Sequence, residues 1–301
     1  MSAISLPLLR VPHQPKDVSF HFAHWVKKQG VMMRGYARIG THQRSGLRGL
    51  IAAKTISKDE SIVTVPSKAM LSFTTAMKDV TFRTVFEESD LPQPISVLNM
   101  AAKFSNTFIY RSHMVQAMHM THVHLLQDGV IHPYVWYFNF LPRGEGDFRE
   151  LTEMLISIME NSDECTSWLQ ALSRRHSNLP IEDLRLMVAY FLTMLGSRSL
   201  PISHAPIVEA LLAGTEFSEI LTNKALVVEF NPNEPLSVPV MCPILDMCNH
   251  HPENNAEVAV PKITPIDPVI LVRATRQIEQ GEEIFIRYKS DELELMYGMK
   301  R

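Results

Sequence analysis

Cysteine is scarce. Cys165, Cys242 and Cys248 are the only three in 301 residues, and no two stand at a C-x-x-C spacing. That argues against a disulfide framework and for a reducing compartment. Long apolar runs are missing too: the best candidates, residues 130–141 and 186–195, fall short of the roughly 18–20 residues needed to span a bilayer. Charge of one sign is not in excess. A formal net charge of -3 argues against nucleic-acid binding and against a polybasic membrane attachment. Acids are absent from residues 1–16, which carry Arg10 and Lys16 but no secretory apolar segment. A disordered arm is the simpler reading, with a mitochondrial presequence as the alternative to a cytoplasmic or nuclear protein.

What is present suits a globular protein. Hydrophobic residues make up 46% and charged residues 20%, enough to bury a sizeable core. The length fits one large domain or two lobes. Residues 20–30 carry Phe22, Ala23 and Val26 around Trp25 and stop at Gly30, which predicts a short helix with a glycine stop. Residues 31–39 are β-prone, and 46–50 form a glycine-bounded turn. Residues 51–53 and 61–65 predict strands about the polar turn 57–60, closed by Pro66. From about 71 to 200 the spacing of apolar residues turns helical, over 101–126, 148–160 and 181–195. Pro180, Glu182 and Asp183 suit the start of the last of these. Beyond Pro201, 207–212 predicts a short helix, 225–230, 256–260 and 269–275 predict strands, and 291–297 a terminal helix. The order β, helical block, β implies a helical insert between two halves of one β-region.

Four separated segments carry chemistry. The first is Gly46-Leu47-Arg48-Gly49-Leu50, followed by Ala53, Ile56, Val65 and Pro66; its glycines let the backbone approach a ligand closely. The second is Ser197-Arg198-Ser199 at the end of an apolar helix. Its guanidinium fork suits a carboxylate, although a basic residue also suits a helix C-terminus. The third is Pro243-Ile244-Leu245-Asp246-Met247-Cys248-Asn249-His250, and the fourth runs from Ile278 through Gly281-Glu282-Glu283-Ile284 and Tyr288 to Tyr297-Gly298-Met299.

In this order, with the helical block in the gap, the four segments resemble the SET-domain methyltransferases. The likeness is to the branch with a long helical insert typified by the Rubisco large-subunit methyltransferases. Pro133-Tyr134 and Leu141-Pro142 add a weaker match within the insert. The resemblance implies an α+β fold: a β-rich, pseudoknotted SET core interrupted by a large α-helical insert. The expected organisation is an arm over 1–19, core over 20–70, insert over 71–200 and core again over 201–301.

It further implies S-adenosylmethionine as cofactor and a protein or peptide substrate, with lysine as acceptor on a non-histone target. Gly46, Leu47 and Arg48 would lie against the cofactor. Arg198 would pair with its carboxylate, Asn249 and His250 would hold its amino group and adenine, and Asp246 would organise their loop. Tyr288 would be the catalytic tyrosine and a cofactor contact, Tyr297 would stand beside the methyl-transfer channel, and Met299 would lie under the adenine. The chain departs from the family at Leu200, Lys289 and Met299. These departures keep three alternatives in view: a SET pseudoenzyme acting as an interaction module, a histidine-directed enzyme, and a helical scaffold whose ends mimic the motifs. A monomer without metal, nucleic acid or membrane is expected.

His113, His119, His122 and His124 crowd one predicted helix, with His119 and His122 on one face. No cysteine or carboxylate is spaced to complete a zinc site with them, so they read as surface or partly buried histidines. Cys242 and Cys248 flank an apolar segment and read as small core residues.

Overall fold

The computed structural model describes residues 15–41, 48–87, 108–126, 134–141, 149–160, 163–202, 207, 210–211, 213, 238–261 and 268–288. The predicted strand 225–230 and terminal helix 291–297 lie outside these residues, as does most of 207–212. The chain divides into two compact units, each built from two stretches: 1–25 with 72–197, and 26–71 with 198–301. The first is helical and the second carries the strands, so the fold is α+β with a helical region inside the β-rich part.

In the helical unit, α1 (Pro15–Lys28) starts before the predicted helix and stops where expected. Gly30 takes φ +79°, Gly30 N donates to Lys27 O at 3.0 Å and Val31 N to Val26 O at 3.2 Å, a helix stop that favours glycine. Ser72 caps α2 (Phe73–Lys78) by accepting from Thr74 N at 3.2 Å. Asp79 then caps α3 (Val80–Glu87), its Oδ1 accepting from Thr81 N at 2.9 Å and Phe82 N at 3.3 Å. The following helices are α4 (Phe108–Leu126), α5 (Val135–Phe140), α6 (Arg149–Glu160), α7 (Asp163–Arg175) and α8 (Ile181–Arg198). Phe22 stacks on Phe140 with ring centroids 4.2 Å apart, and Trp25 on Tyr137 at 5.8 Å, which ties α1 to α5. Among the described residues no helix is long and apolar enough to cross a membrane.

The histidine expectation needs correcting. His113, His119, His122 and His124 are all buried. Residues from Met114 to Val123 are covered on every side of α4, so no face remains for solvent. The expected shared face of His119 and His122 is real but polar partners line it: His119 Nε2 lies 2.9 Å from Asp79 Oδ2, and His122 Nε2 lies 3.1 Å from Thr81 Oγ1. His122 Nδ1 continues to His176 Nε2 at 2.9 Å. Burial pulls the His113 pKa down to about 3; burial, and then Arg175, pulls that of His176 to about 4.

In the second unit, β1 (Met32–Met33), β4 (Ser61–Pro66), β9 (Val269–Ala274) and β8 (Ala256–Ala259) form an antiparallel sheet in that order. β4 and β9 bring together the two chain stretches, register Val65 opposite Ile270, and bury Ile62, Val63, Ile270 and Val272. β2 (Ala37–Thr41) pairs antiparallel with β3 (Arg48–Ala52), and β5 (Leu200–Ile202) with β6 (Val238–Val240). β7 (Asn249–His250) pairs in parallel with β10 (Phe285–Ile286). That parallel pair is the point to which the third and fourth motifs converge.

Candidate functional site

The glycine-bounded turn expected over 46–50 is, over its described part, a strand. Arg48, Gly49 and Leu50 belong to β3, bonded to β2 on one edge and to the 281–284 segment on the other. Ala52 N donates to Glu282 O, Gly281 N to Ala52 O and Ile284 N to Leu50 O, each at 2.8 Å. Extended backbone needs its N–H and C=O groups paired on both sides here, because the strand is interior. Gly281 supplies φ +86° where the returning chain turns into this pairing. Gly46 and Leu47 lie outside the described residues.

Asp246 stands in a short 3₁₀ turn, Leu245–Met247, that leads into β7. Its N–H donates to Cys242 O at 2.9 Å, so the backbone doubles back just before the turn. Ile244, at the head of the turn, holds φ +74° and ψ -48°. For a β-branched residue this is a strained conformation, of the sort that persists where surrounding structure imposes it. The buried thiols of Cys242 and Cys248 bracket the turn. Burial pushes both pKa values up, and the Asp246 carboxylate adds to the effect. They are core residues, as the sequence suggested.

Arg198 ends α8 and reaches the same turn. Its Nη1 donates to Asp246 O at 2.8 Å and lies 3.9 Å from Asp246 Oδ2. Its Nε and Nη2 have no partner among the described residues, so that edge of the fork can receive a carboxylate.

Asn249 uses its amide nitrogen twice. Nδ2 donates to Glu283 Oε1 at 2.6 Å and to Arg48 O at 3.2 Å, whereas Oδ1 has no partner among the described residues. His250 Nδ1 accepts from Tyr288 N at 2.9 Å, which puts the remaining ring proton of neutral His250 on Nε2. Tyr288 Oη donates to Cys248 O at 2.6 Å. Its ring and that of His250 have centroids 5.3 Å apart. The structure thus brings Arg48, Arg198, Asp246, Asn249, His250 and Tyr288 together in the second unit. Tyr297 and Met299, like Lys289, lie outside the described residues. Leu200 opens β5 opposite Val240.

Three contributors received no role from sequence. Glu283 is 1% exposed and binds Asn249. Asn255 is fully buried and ties the segments: its Nδ2 donates to Glu283 O at 2.8 Å and its Oδ1 accepts from Phe285 N at 2.8 Å. Gly49 has no room for a side chain beside Asn249 and Glu283. Glu282 lies next to them, where burial raises its carboxyl. The Arg276 hydrogen bond, the Glu279 N–H and the Asn255 amide outweigh that and hold it below the usual range.

The chain's likenesses agree with this arrangement. The family model of the SET domain matches residues 47–289. The SET domain of LSMT bound to lysine and AdoHcy superposes with TM-score 0.57 at 16% identity, over 96% of this chain and 58% of that one. The same domain bound to MeLysine and AdoHcy gives 0.53 at 17% identity, over 94% and 57%. Rubisco LSMT bound to AdoMet gives 0.50 at 16% identity, over 96% and 57%. At these identities the likeness is one of fold, and the chain spans less than three fifths of the length of those structures. No curated protein matches the sequence significantly.

Proposed function

The chain belongs to the SET-domain family, and from that premise we propose that it is an S-adenosylmethionine-dependent methyltransferase acting on a lysine side chain of a non-histone protein. The observation that carries the proposal is a pair of unengaged polar groups around one turn: the Nε and Nη2 donors of Arg198 and the Oδ1 acceptor of Asn249. A donor fork and a lone acceptor match the carboxylate and ammonium of an α-amino acid, the polar end of S-adenosylmethionine. The residues present therefore fit the cofactor. The solved LSMT structures that share the fold hold AdoMet, AdoHcy and lysine, which supports the same ligands here.

When bound, the cofactor supplies a methyl group on a sulfonium sulfur, an electrophile that needs no further activation. The protein's part is to present the acceptor. A lysine has a pKa of roughly 10.4, so exposing its lone pair near neutral pH costs about 4 kcal/mol. Tyr288 cannot serve as a resting base through its own proton, because that proton is given to the Cys248 carbonyl. What Oη offers instead is its lone pairs, which can accept an N–H of the incoming amine and set its direction. Cys248 O and the His250 Nδ1 bond fix the tyrosine at both ends, side chain and backbone.

Titration calorimetry with S-adenosylmethionine, followed by transfer of radiolabelled methyl to proteins of a cell lysate, tests the proposal. Wild type should bind and transfer. Tyr288→Phe should bind with affinity within about threefold while transfer falls by about a hundredfold or more, the scale of losing one positioned hydrogen-bonding group. Full transfer by Tyr288→Phe would remove the assignment, and absence of binding by wild type would remove the cofactor.

A further inference from the structure

We propose that Glu283 is a positioning residue for the cofactor's amino group, acting through Asn249. The inference rests on the cofactor reading above and adds to it the group that decides which way Asn249 faces. A side-chain amide can be turned end for end with little change in shape, and only its neighbours decide which end is which. Here both neighbours are acceptors: the Glu283 carboxylate at 2.6 Å and the Arg48 carbonyl at 3.2 Å. Turned over, Asn249 would set its oxygen against two other oxygens. The amide nitrogen therefore faces Glu283 and Arg48, and both of its protons are spent there. Oδ1 is left as an acceptor alone, so the ligand group that meets it must be a donor.

Glu283 is itself held. It bridges Ile51 of β3, its carbonyl accepts from the buried Asn255 amide at 2.8 Å, and the flanking Ile284 N donates to Leu50 O at 2.8 Å. The side chain reaches Asn249 across the backbone of Gly49, where a Cβ would lie 2.5 Å from Glu283 Oε1 and 2.8 Å from Asn249 Nδ2. A carboxylate is costly to bury, and an interior strap could be built from neutral groups. A charged acceptor is what turns Asn249 most strongly to one orientation.

The test pairs two ligands with two variants. Wild type, Glu283→Ala and Glu283→Gln are titrated with S-adenosylhomocysteine and with its deaminated analogue, in which hydrogen replaces the amino group. Wild type should prefer the aminated ligand by about tenfold or more, the scale of a hydrogen bond to a charged group. In Glu283→Ala that preference should shrink to within about threefold, and Glu283→Gln, which can present either an oxygen or an N–H to Asn249, should fall between. Damage to the fold alone would weaken both ligands in proportion; an unchanged preference in the variants would overturn the proposal. A second readout needs no ligand. In the amide spectrum of the free protein, one Asn249 side-chain proton should be shifted downfield and slow to exchange in wild type, and should lose both properties in Glu283→Ala. An ordinary, fast-exchanging wild-type signal overturns the inference even if the cofactor binds. A signal as expected supports it even if neither ligand does, and that second outcome counts against the cofactor reading alone.

Discussion

A methyl group at Gly49 would meet the Glu283 carboxylate and the Asn249 amide inside contact distance. Both are anchored, Glu283 through its strand pairing and Asn249 through β7, so neither can withdraw cheaply. Gly49→Ala should therefore cost about 1–3 kcal/mol in stability, the usual cost of overpacking. It should also weaken S-adenosylhomocysteine, because the amide that must give way is the one proposed to face the ligand. Urea unfolding and calorimetry read the two effects, and unchanged values in both would mean that the three groups do not crowd as described. Sequence made the polar members of this site legible unevenly. Asp246, Asn249, His250 and Tyr288 stood in ordered motifs of distinctive residue types. Glu283 stood in the same quoted segment without a role, because a glutamate beside Gly281 and Glu282 reads as a solvated turn. Its burial comes from β3, more than two hundred residues earlier in the chain, lying over it. Asn255 was hidden for the same reason, in a loop of Pro, Glu and Asn that looks like any turn.

At the scale of elements, α4 sets an expectation for pH. His113 is wholly buried and its pKa is pulled from 6.5 to about 3, so the native chain keeps it neutral where the unfolded chain takes up a proton. Its contribution to stability is present above about pH 6.5 and is lost as pH falls toward 3. The slope cannot exceed about 1.4 kcal/mol per pH unit for one such group. His176 acts in the same direction down to about 4, discounted because the side chain is partly exposed. Urea midpoints should thus fall steadily from about pH 7 to about pH 5, before most carboxylates protonate. A flat profile over that range would contradict the burial of these rings. Local pattern gave the strongly apolar helices well, as over 149–160 and 181–198. It did not single out α7 (Asp163–Arg175), where Trp168, Leu169 and Leu172 are buried among charged and polar residues. It also misread the histidines, since a helix enclosed by its neighbours has no sequence signal distinguishing its polar positions from surface ones until their partners, Asp79, Thr81 and His176, are seen.

At the scale of the molecule, the order β, helical block, β was readable because composition changes at both ends of the block. The pairings that use this order were not: β4 with β9 and β3 with the 281–284 segment join the two outer stretches of chain across the whole insert. The described groups of the candidate site, from Arg48 through Arg198 and Asn249 to Glu283 and Tyr288, all belong to the second unit. The helical unit can therefore be weakened without altering any of them. Leu172 is fully buried in α7, which packs on α3 and α6 within the helical unit. Leu172→Ala should cost about 2–5 kcal/mol through the cavity it leaves. Measured well below the unfolding midpoint, the affinity for S-adenosylhomocysteine should nevertheless stay within about twofold of wild type, since distant sites act nearly independently. Saturating ligand should in turn raise the midpoint of the variant, by the ordinary linkage between binding and folding. A tenfold loss of affinity in a variant whose circular dichroism and urea transition remain cooperative would mean that the helical unit supplies part of the binding energy, and that the site is larger than the strands and the turn from which it is built here.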